Sequence, residues 1–195
     1  MDHKKANALA GELVGFVASG CQRVEIAGSL RRMKPQVNDL EIVAVPIVQM
    51  ETNYNDMFGG DVEVNLLAGL LDDLYSRGEW ALDQVVKRNG PKYKRLWHRD
   101  TGICCDLFIT VENQWGNIFA IRTGPADFSQ ALVTRALQRG LQQDSGSLWL
   151  THRDGTRTVI PCLEESDFFA ALDVPYITPA DRSVDALRKV LMVTP

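Results

Sequence analysis

Two acids set into an apolar stretch are the first residues here whose types and spacing could do chemistry. Asp39 and Glu41 open the run D-L-E-I-V-A-V, and the rest of that run is Leu40, Ile42, Val43, Ala44 and Val45. Side chains two apart in a strand point to one face, so both carboxylates project together at one end of an otherwise apolar strand. Desolvating charges costs several kcal/mol by order of magnitude unless they are paired or hold a metal. Oxygen-only ligands beside phosphate suit Mg²⁺ or Mn²⁺ better than zinc. Upstream, Gly28-Ser29 follows a short apolar strand carrying Val24 and Ile26. Glycine lets the backbone approach a ligand, and N–H groups at a helix start cradle anions. Arg31 and Arg32 add fork-shaped donors for phosphate oxygens. A lone Gly-Ser is usually an ordinary strand-to-helix turn; joined to Arg-Arg and Asp-x-Glu it becomes a phosphate-and-metal pattern.

The elements that must position these residues follow from periodicity. Residues 4–19 have the apolar spacing of an amphipathic helix (Ala6, Leu9, Leu13, Phe16, Val17) that ends near Gly20. Residues 49–60 read as a polar, glycine-ended loop, and residues 62–76 as a second helix closed by Gly78. A strand over 80–87 runs into the turn residues Asn89-Gly90-Pro91. K-Y-K-R-L-W-H-R then alternates basic and aromatic residues, with Lys92, Lys94 and Leu96 on one face and Tyr93, Arg95 and Trp97 on the other. A solvated hairpin explains that strip; so does a surface touching nucleotide phosphate or nucleic acid through Lys92, Lys94 and Arg95. Residues 103–111 form a strongly apolar strand with one acid, Asp106, in its middle. Asp106 is either a hydrogen-bonded structural residue or a metal ligand and base facing Asp39 and Glu41 from a neighbouring strand. Beyond it come a helix from about Asp127 to Gly140, a hairpin over 146–160, a short helix over 164–172 and a final helix over 184–193.

Composition sets the bounds. The 195 residues are 45% hydrophobic and 24% charged, which is globular, and a net charge of −4 argues against an avid nucleic-acid binder without excluding a local basic strip. No apolar run approaches the roughly 18 residues that span a bilayer, and the N-terminus is no secretory signal, so a cytoplasmic protein with no membrane partner is expected. Cys21, Cys104, Cys105 and Cys162 lack metal spacing and read as buried reduced thiols. The scattered histidines suggest no metal site or triad.

G-S-L-R-R at 28–32 followed by N-D-L-E-I-V at 38–43 resembles the nucleotidyltransferase signature of the family X DNA polymerases, within the DNA polymerase beta-like superfamily, whose motif is G-S-x-R-R and then D-x-D. The resemblance extends to about Ser183. It implies an α+β fold: a palm (residues 1–114) built on a mixed β-sheet with helices on one side, followed by a small α/β thumb-like subdomain (115–195) that contacts the nucleotide and base pair. It makes Asp106 the counterpart of the third catalytic carboxylate. It implies that Asp39, Glu41 and Asp106 hold two Mg²⁺ (or Mn²⁺) ions and run phosphoryl transfer, with Asp106 as base. Ser29 and Arg32 match the positions that hold the triphosphate, with Gly28 behind them. W-G-N-I-F-A-I-R-T-G at 115–124 resembles the segment ending in two aromatics and Thr-Gly beneath the nucleotide sugar, which brings in Thr123 and Gly124; here the pair before Thr123 is Ile121-Arg122, so strong preference for deoxy sugars is not implied. Ser129 and Val133 stand where the family's helix makes its usual polar contacts with the nascent base pair. Residues 174–183 resemble the closing P-x-x-R-S segment, in which Asp181 and Arg182 are read as structural. There is no room before residue 20 for a lyase or helix-hairpin-helix domain, so the resemblance implies a minimal palm-plus-thumb form, suited to a virus or mobile element and then working in the host cytoplasm. The implied activity is that of a monomeric DNA-directed DNA polymerase adding a nucleoside triphosphate to the 3′ end of a DNA primer/template or gapped DNA, with gap-filling repair among its roles. A nucleotidyltransferase acting on a tRNA, a protein or a small-molecule hydroxyl fits the same signature.

Overall fold

The computed structural model describes residues 1–53 and 60–193. Its first core forms around a mixed sheet of order β1-β2-β8-β7-β5, with β6 paired to β7. The strands are β1 (Cys21–Ile26), β2 (Asp39–Pro46), β5 (Trp80–Leu82), β6 (Asn89–Gly90), β7 (Tyr93–His98) and β8 (Cys104–Ile109). Among the described residues only β2 and β8 run parallel, and their register sets Glu41 beside Asp106. The strict alternation of β2 gives the sheet two faces. Leu40, Ile42 and Ala44, with Leu96, Cys105 and Leu107 from β7 and β8, are fully or almost fully buried against α1 (His3–Val17) and α3 (Leu66–Arg77). The other face carries Asp39, Glu41, Val43 and Val45 on β2 and Asp106 and Phe108 on β8, because the side-chain period is two. Both helices start as their caps require: Asp2 accepts the Lys5 N–H, Asn65 accepts the Ala68 N–H, and Gly78 closes α3 at φ 81°.

Of residues 49–60, expected as a loop, the described ones, 49–53 and 60, are strand. β3 (Val48–Asn53) pairs antiparallel with β4 (Gly60–Asn65), and residues 54–59 lie outside the described part. This two-stranded sheet stands off the core: Val48, Met50 and Val62 remain exposed. No core face therefore imposed the apolar alternation that marks a strand in sequence. The second helix accordingly begins at Leu66, four residues later than expected. The strand expected over 80–87 ends at Leu82, because the Asp83 carboxylate accepts hydrogen bonds from the Val85 N–H (2.8 Å), Arg88 (3.0 Å) and the Trp97 indole (3.0 Å) and turns the chain.

After β8 come α4 (Trp115–Thr123) and α5 (Ala126–Gln138), then a three-stranded antiparallel sheet of β9 (Leu141–Asp144), β10 (Ser147–Thr151) and β11 (Arg157–Ile160), α6 (Glu165–Ala171) and α7 (Val184–Val193). Phe128, Leu132, Leu148, Phe168, Phe169 and Leu172 fill a second core there. A third cluster joins the two halves: Trp115 and Phe119 of α4 pack against Ala27, Val43, Val45 and Phe108 on the acid-bearing face of the sheet. The fold is α+β, a mixed sheet with helices followed by a smaller α/β unit. Among the described residues no helix is long and apolar enough to cross a membrane.

Candidate active site

The acid-bearing face is built from several short pieces of chain. β1 ends at Ile26, and Gly28 at φ 66° turns the backbone into α2 (Gly28–Arg31). A side chain at Gly28 would overlap the Glu41 carboxylate, so this glycine is required by close approach as well as by its backbone angle. The Ala27 N–H donates to the Glu41 carbonyl at 2.7 Å, which fixes the Gly-Ser turn against the start of β2. α4 and the start of α5 close the far side. The result is a polar cavity of about 420 Å³ lined by Ser29, Arg32, Asp39, Glu41, Arg122 and Ser129, among others. That volume is in the usual range of small-ligand sites.

Two polar atoms of its lining residues lack protein partners. Ser29 Oγ and Arg32 Nε are buried atoms without a hydrogen bond, although Arg32 Nη1 donates to the Thr123 carbonyl. Burial holds the Arg32 guanidinium below its ordinary pKa, partly against the charge of Glu41. A hydroxyl and a guanidinium N–H buried without acceptors beside a cavity are donors of the kind that an anionic oxygen satisfies.

The acids are short of positive charge. Burial, then the charges of Asp39 and, after the opposing Arg32, of Asp106, push the Glu41 carboxyl up to about 7. Asp106 is 8% exposed, and its carboxylate accepts from Arg95 Nε at 2.6 Å, Arg95 Nη2 at 2.7 Å and the Tyr93 hydroxyl at 2.7 Å. These bonds follow from register: β7 sets Arg95 directly across from Asp106 and Tyr93 across from Phe108, whose rings stack at 5.3 Å. Burial and the bond to Asp106 push the Tyr93 hydroxyl up to about 12, so it stays a donor. Among the described residues no three acids, cysteines or histidines stand ready to hold a metal. The donor set nevertheless fits Mg²⁺ or Mn²⁺: all-oxygen side chains, two on one strand and a third set beside them on the parallel neighbour.

Glu41 gives a testable sign. Without cations, the folded protein holds a proton on Glu41 that the unfolded chain releases between the ordinary glutamate value near 4.5 and about 7. The stability this proton confers is complete below that window and is lost as pH rises through about 7, a change on the order of 3 kcal/mol. Urea unfolding in EDTA at pH 5 and pH 8 should show this decline, and Glu41→Gln should flatten it. An unchanged slope in the variant would remove Glu41 as its source.

The structure distributes the other sequence-derived candidates unevenly. Gly124 and Ser129 line the cavity, but Ser129 Oγ already donates to the Ile121 carbonyl at 2.7 Å. Thr123 is fully buried and holds both arginines, accepting Arg31 at its hydroxyl (2.8 Å) and Arg32 at its carbonyl; it shapes the site from behind. Arg31, expected to face phosphate with Arg32, instead forms a bidentate pair with Glu165 at 2.8 and 2.7 Å. The strip 92–97 does not offer its three cations to one ligand. Arg95 is bound to Asp106, Lys92 donates to the Ser145 carbonyl at 2.9 Å, and Lys94 is on the opposite face from Arg95. Gln36, Asn38 and Arg122 also line the cavity and were not singled out as ligand contacts. For Gln36 and Asn38 the sequence carries no signal beyond their nearness to Asp39.

Residues 119–183 match the family model described as the DNA polymerase beta thumb. The matched span begins within α4, runs through the turn at Pro179–Asp181 and includes all of the second core's buried residues but Leu187 of α7. The match supports a relationship to the polymerase beta-like, family X group. No curated protein matches the chain.

Proposed function

We propose that the chain is a metal-dependent nucleotidyltransferase that adds nucleotides to a DNA 3′-hydroxyl. The observation that carries this reading is the pair of unpartnered atoms, Ser29 Oγ and Arg32 Nε, in a cavity shared with Asp39 and Glu41. The match of residues 119–183 to the DNA polymerase beta thumb supports it independently and favours DNA as acceptor. Ser29 and Arg32 would take the triphosphate, with Thr123 holding the Arg32 guanidinium in place through its carbonyl. Asp39, Glu41 and Asp106 would hold two Mg²⁺ or Mn²⁺ ions, which supply charge neutralisation of the leaving pyrophosphate and acidify the attacking hydroxyl. Asp106, once released by Arg95, would accept that proton at a carboxylate oxygen. α4 and the start of α5 line one side of the cavity.

A second reading, transfer to a tRNA, protein or small-molecule hydroxyl, is favoured by one observation. The cations expected to meet a strand, Lys92 and Arg95, are engaged within the chain. Extension of labelled gapped, templated and single-stranded DNA with each dNTP or rNTP, with Mg²⁺ or Mn²⁺, decides between them. Template-directed products establish the first reading. No extension with any metal, while nucleotide still binds, overturns it in favour of the second.

A further inference from the structure

Arg122 is the one guanidinium bordering the site, among the described residues, to which no hydrogen bond or ion pair is assigned. Arg31 and Arg95 are held by carboxylates and Arg32 by a carbonyl. Arg122 is the exposed penultimate residue of α4, its guanidinium lying over the Phe108 ring at 4.0 Å. Stacking orients the planar group without using its five N–H donors.

Its place is as informative as its freedom. Arg122 lines the polar cavity with Ser29, Arg32, Asp39 and Glu41. It also lines a neighbouring cavity of about 470 Å³ with Asp106, Tyr93, Phe108 and Lys92. One cavity is lined by the residues whose donors lack acceptors and the other by Asp106, so Arg122 stands on the wall between them. A group bridging donor and acceptor there must cross that wall. We propose that Arg122 is a catalytic residue that binds the phosphoryl group in transfer. This rests on the nucleotidyltransferase reading above. In the step, the acceptor hydroxyl oxygen forms a bond to the α-phosphorus, and the P–O bond between the α- and β-phosphates breaks. The pyrophosphate leaves with that electron pair, and the hydroxyl proton goes to Asp106. Negative charge on the α-phosphate oxygens then develops at the boundary where Arg122 presents its fork.

The test is single-turnover extension by the full chain carrying Arg122→Ala, Arg122→Lys or Arg122→Phe, the last retaining a flat side chain without charge. The alanine and phenylalanine variants should lose about 10²- to 10³-fold in kcat with the nucleotide KM changed by no more than about threefold. Lysine should fall between these and wild type. Added guanidinium ion at concentrations below those that unfold the protein should restore part of the activity of Arg122→Ala and none of Arg122→Phe, whose ring fills the space. A merely structural role would lower the thermal midpoint and would not be rescued. Wild-type rates in Arg122→Ala, or a loss confined to KM without rescue, overturn the inference while leaving the nucleotidyltransferase reading intact. A wild-type chain inert on every acceptor overturns that reading itself, before any variant is compared.

Discussion

Asp106→Asn is expected to lower nucleotide transfer by about 10³-fold or more while leaving the fold in place. Asparagine keeps the size of the side chain and one acceptor oxygen, so Tyr93 and one Arg95 N–H retain partners. What it removes is the negative charge and the proton-accepting capacity. The comparison variant is Arg95→Leu, which removes the bidentate partner of Asp106 but no proposed ligand. If Asp106 acts in the chemistry, its variant loses rate at every metal concentration, whereas Arg95→Leu keeps transfer within about tenfold of wild type. Gel-resolved single-turnover assays on both variants, paired with thermal melts, decide the point. Equal losses of rate from the two, with equal losses of stability, would reduce Asp106 to the anchor of a β7–β8 cross-strand pair.

Glu165→Ala should be strongly destabilising, by about 3–5 kcal/mol. The Glu165 side chain is 6% exposed and accepts from Arg31 of the acid-bearing unit, from Arg182 Nη2 at 2.9 Å and from the Tyr176 hydroxyl at 3.1 Å. The Arg182 side chain is fully buried. Burial alone would raise the Glu165 carboxyl, but the hydrogen bond from Arg31 and the charge of Arg182 outweigh it and hold it below the ordinary glutamate range. Its contribution is therefore present above that range and fades as pH falls beneath it. Removing the acid leaves two guanidinium groups with one fewer anion, one of them without access to water. The urea midpoint should fall sharply, and Glu165→Leu combined with Arg182→Met should be less damaging than Glu165→Ala alone. A double variant as unstable as the sum of its parts would contradict the coupling.

Much of this was legible in the chain. The alternation of residues 39–45 announces a strand with an acidic end, and the Gly-Ser-Arg-Arg spacing announces the turn beside it; both are where the periodicity puts them. Asp106 was legible because a lone acid in an apolar run needs a partner, but the sequence could not say that Arg95 supplies one. That depends on the β7–β8 register, which brings together residues eleven positions apart. Arg31 and Arg32 are adjacent and chemically alike, and only packing against α4 and α6 separates their partners. Glu165 lies in the short helix expected over 164–172, and nothing in the sequence marks it, since its burial arises from tertiary structure alone. The β3–β4 pair was missed because its apolar residues face no core.

The aromatic cluster of Trp115 and Phe119 on Val43, Val45 and Phe108 bears on how the molecule melts. Two units with separate cores often unfold in two steps, the weaker first. Here the face of the sheet that carries the acids is also covered by α4, and cutting before Trp115 would leave that face wet. The chain should accordingly give a single calorimetric transition, with van't Hoff and calorimetric enthalpies in agreement. A fragment ending at residue 114 should collapse without fixed packing, binding ANS and lacking near-UV dichroism. Folding competence and the shape of the active site thus reside in the same few aromatic contacts.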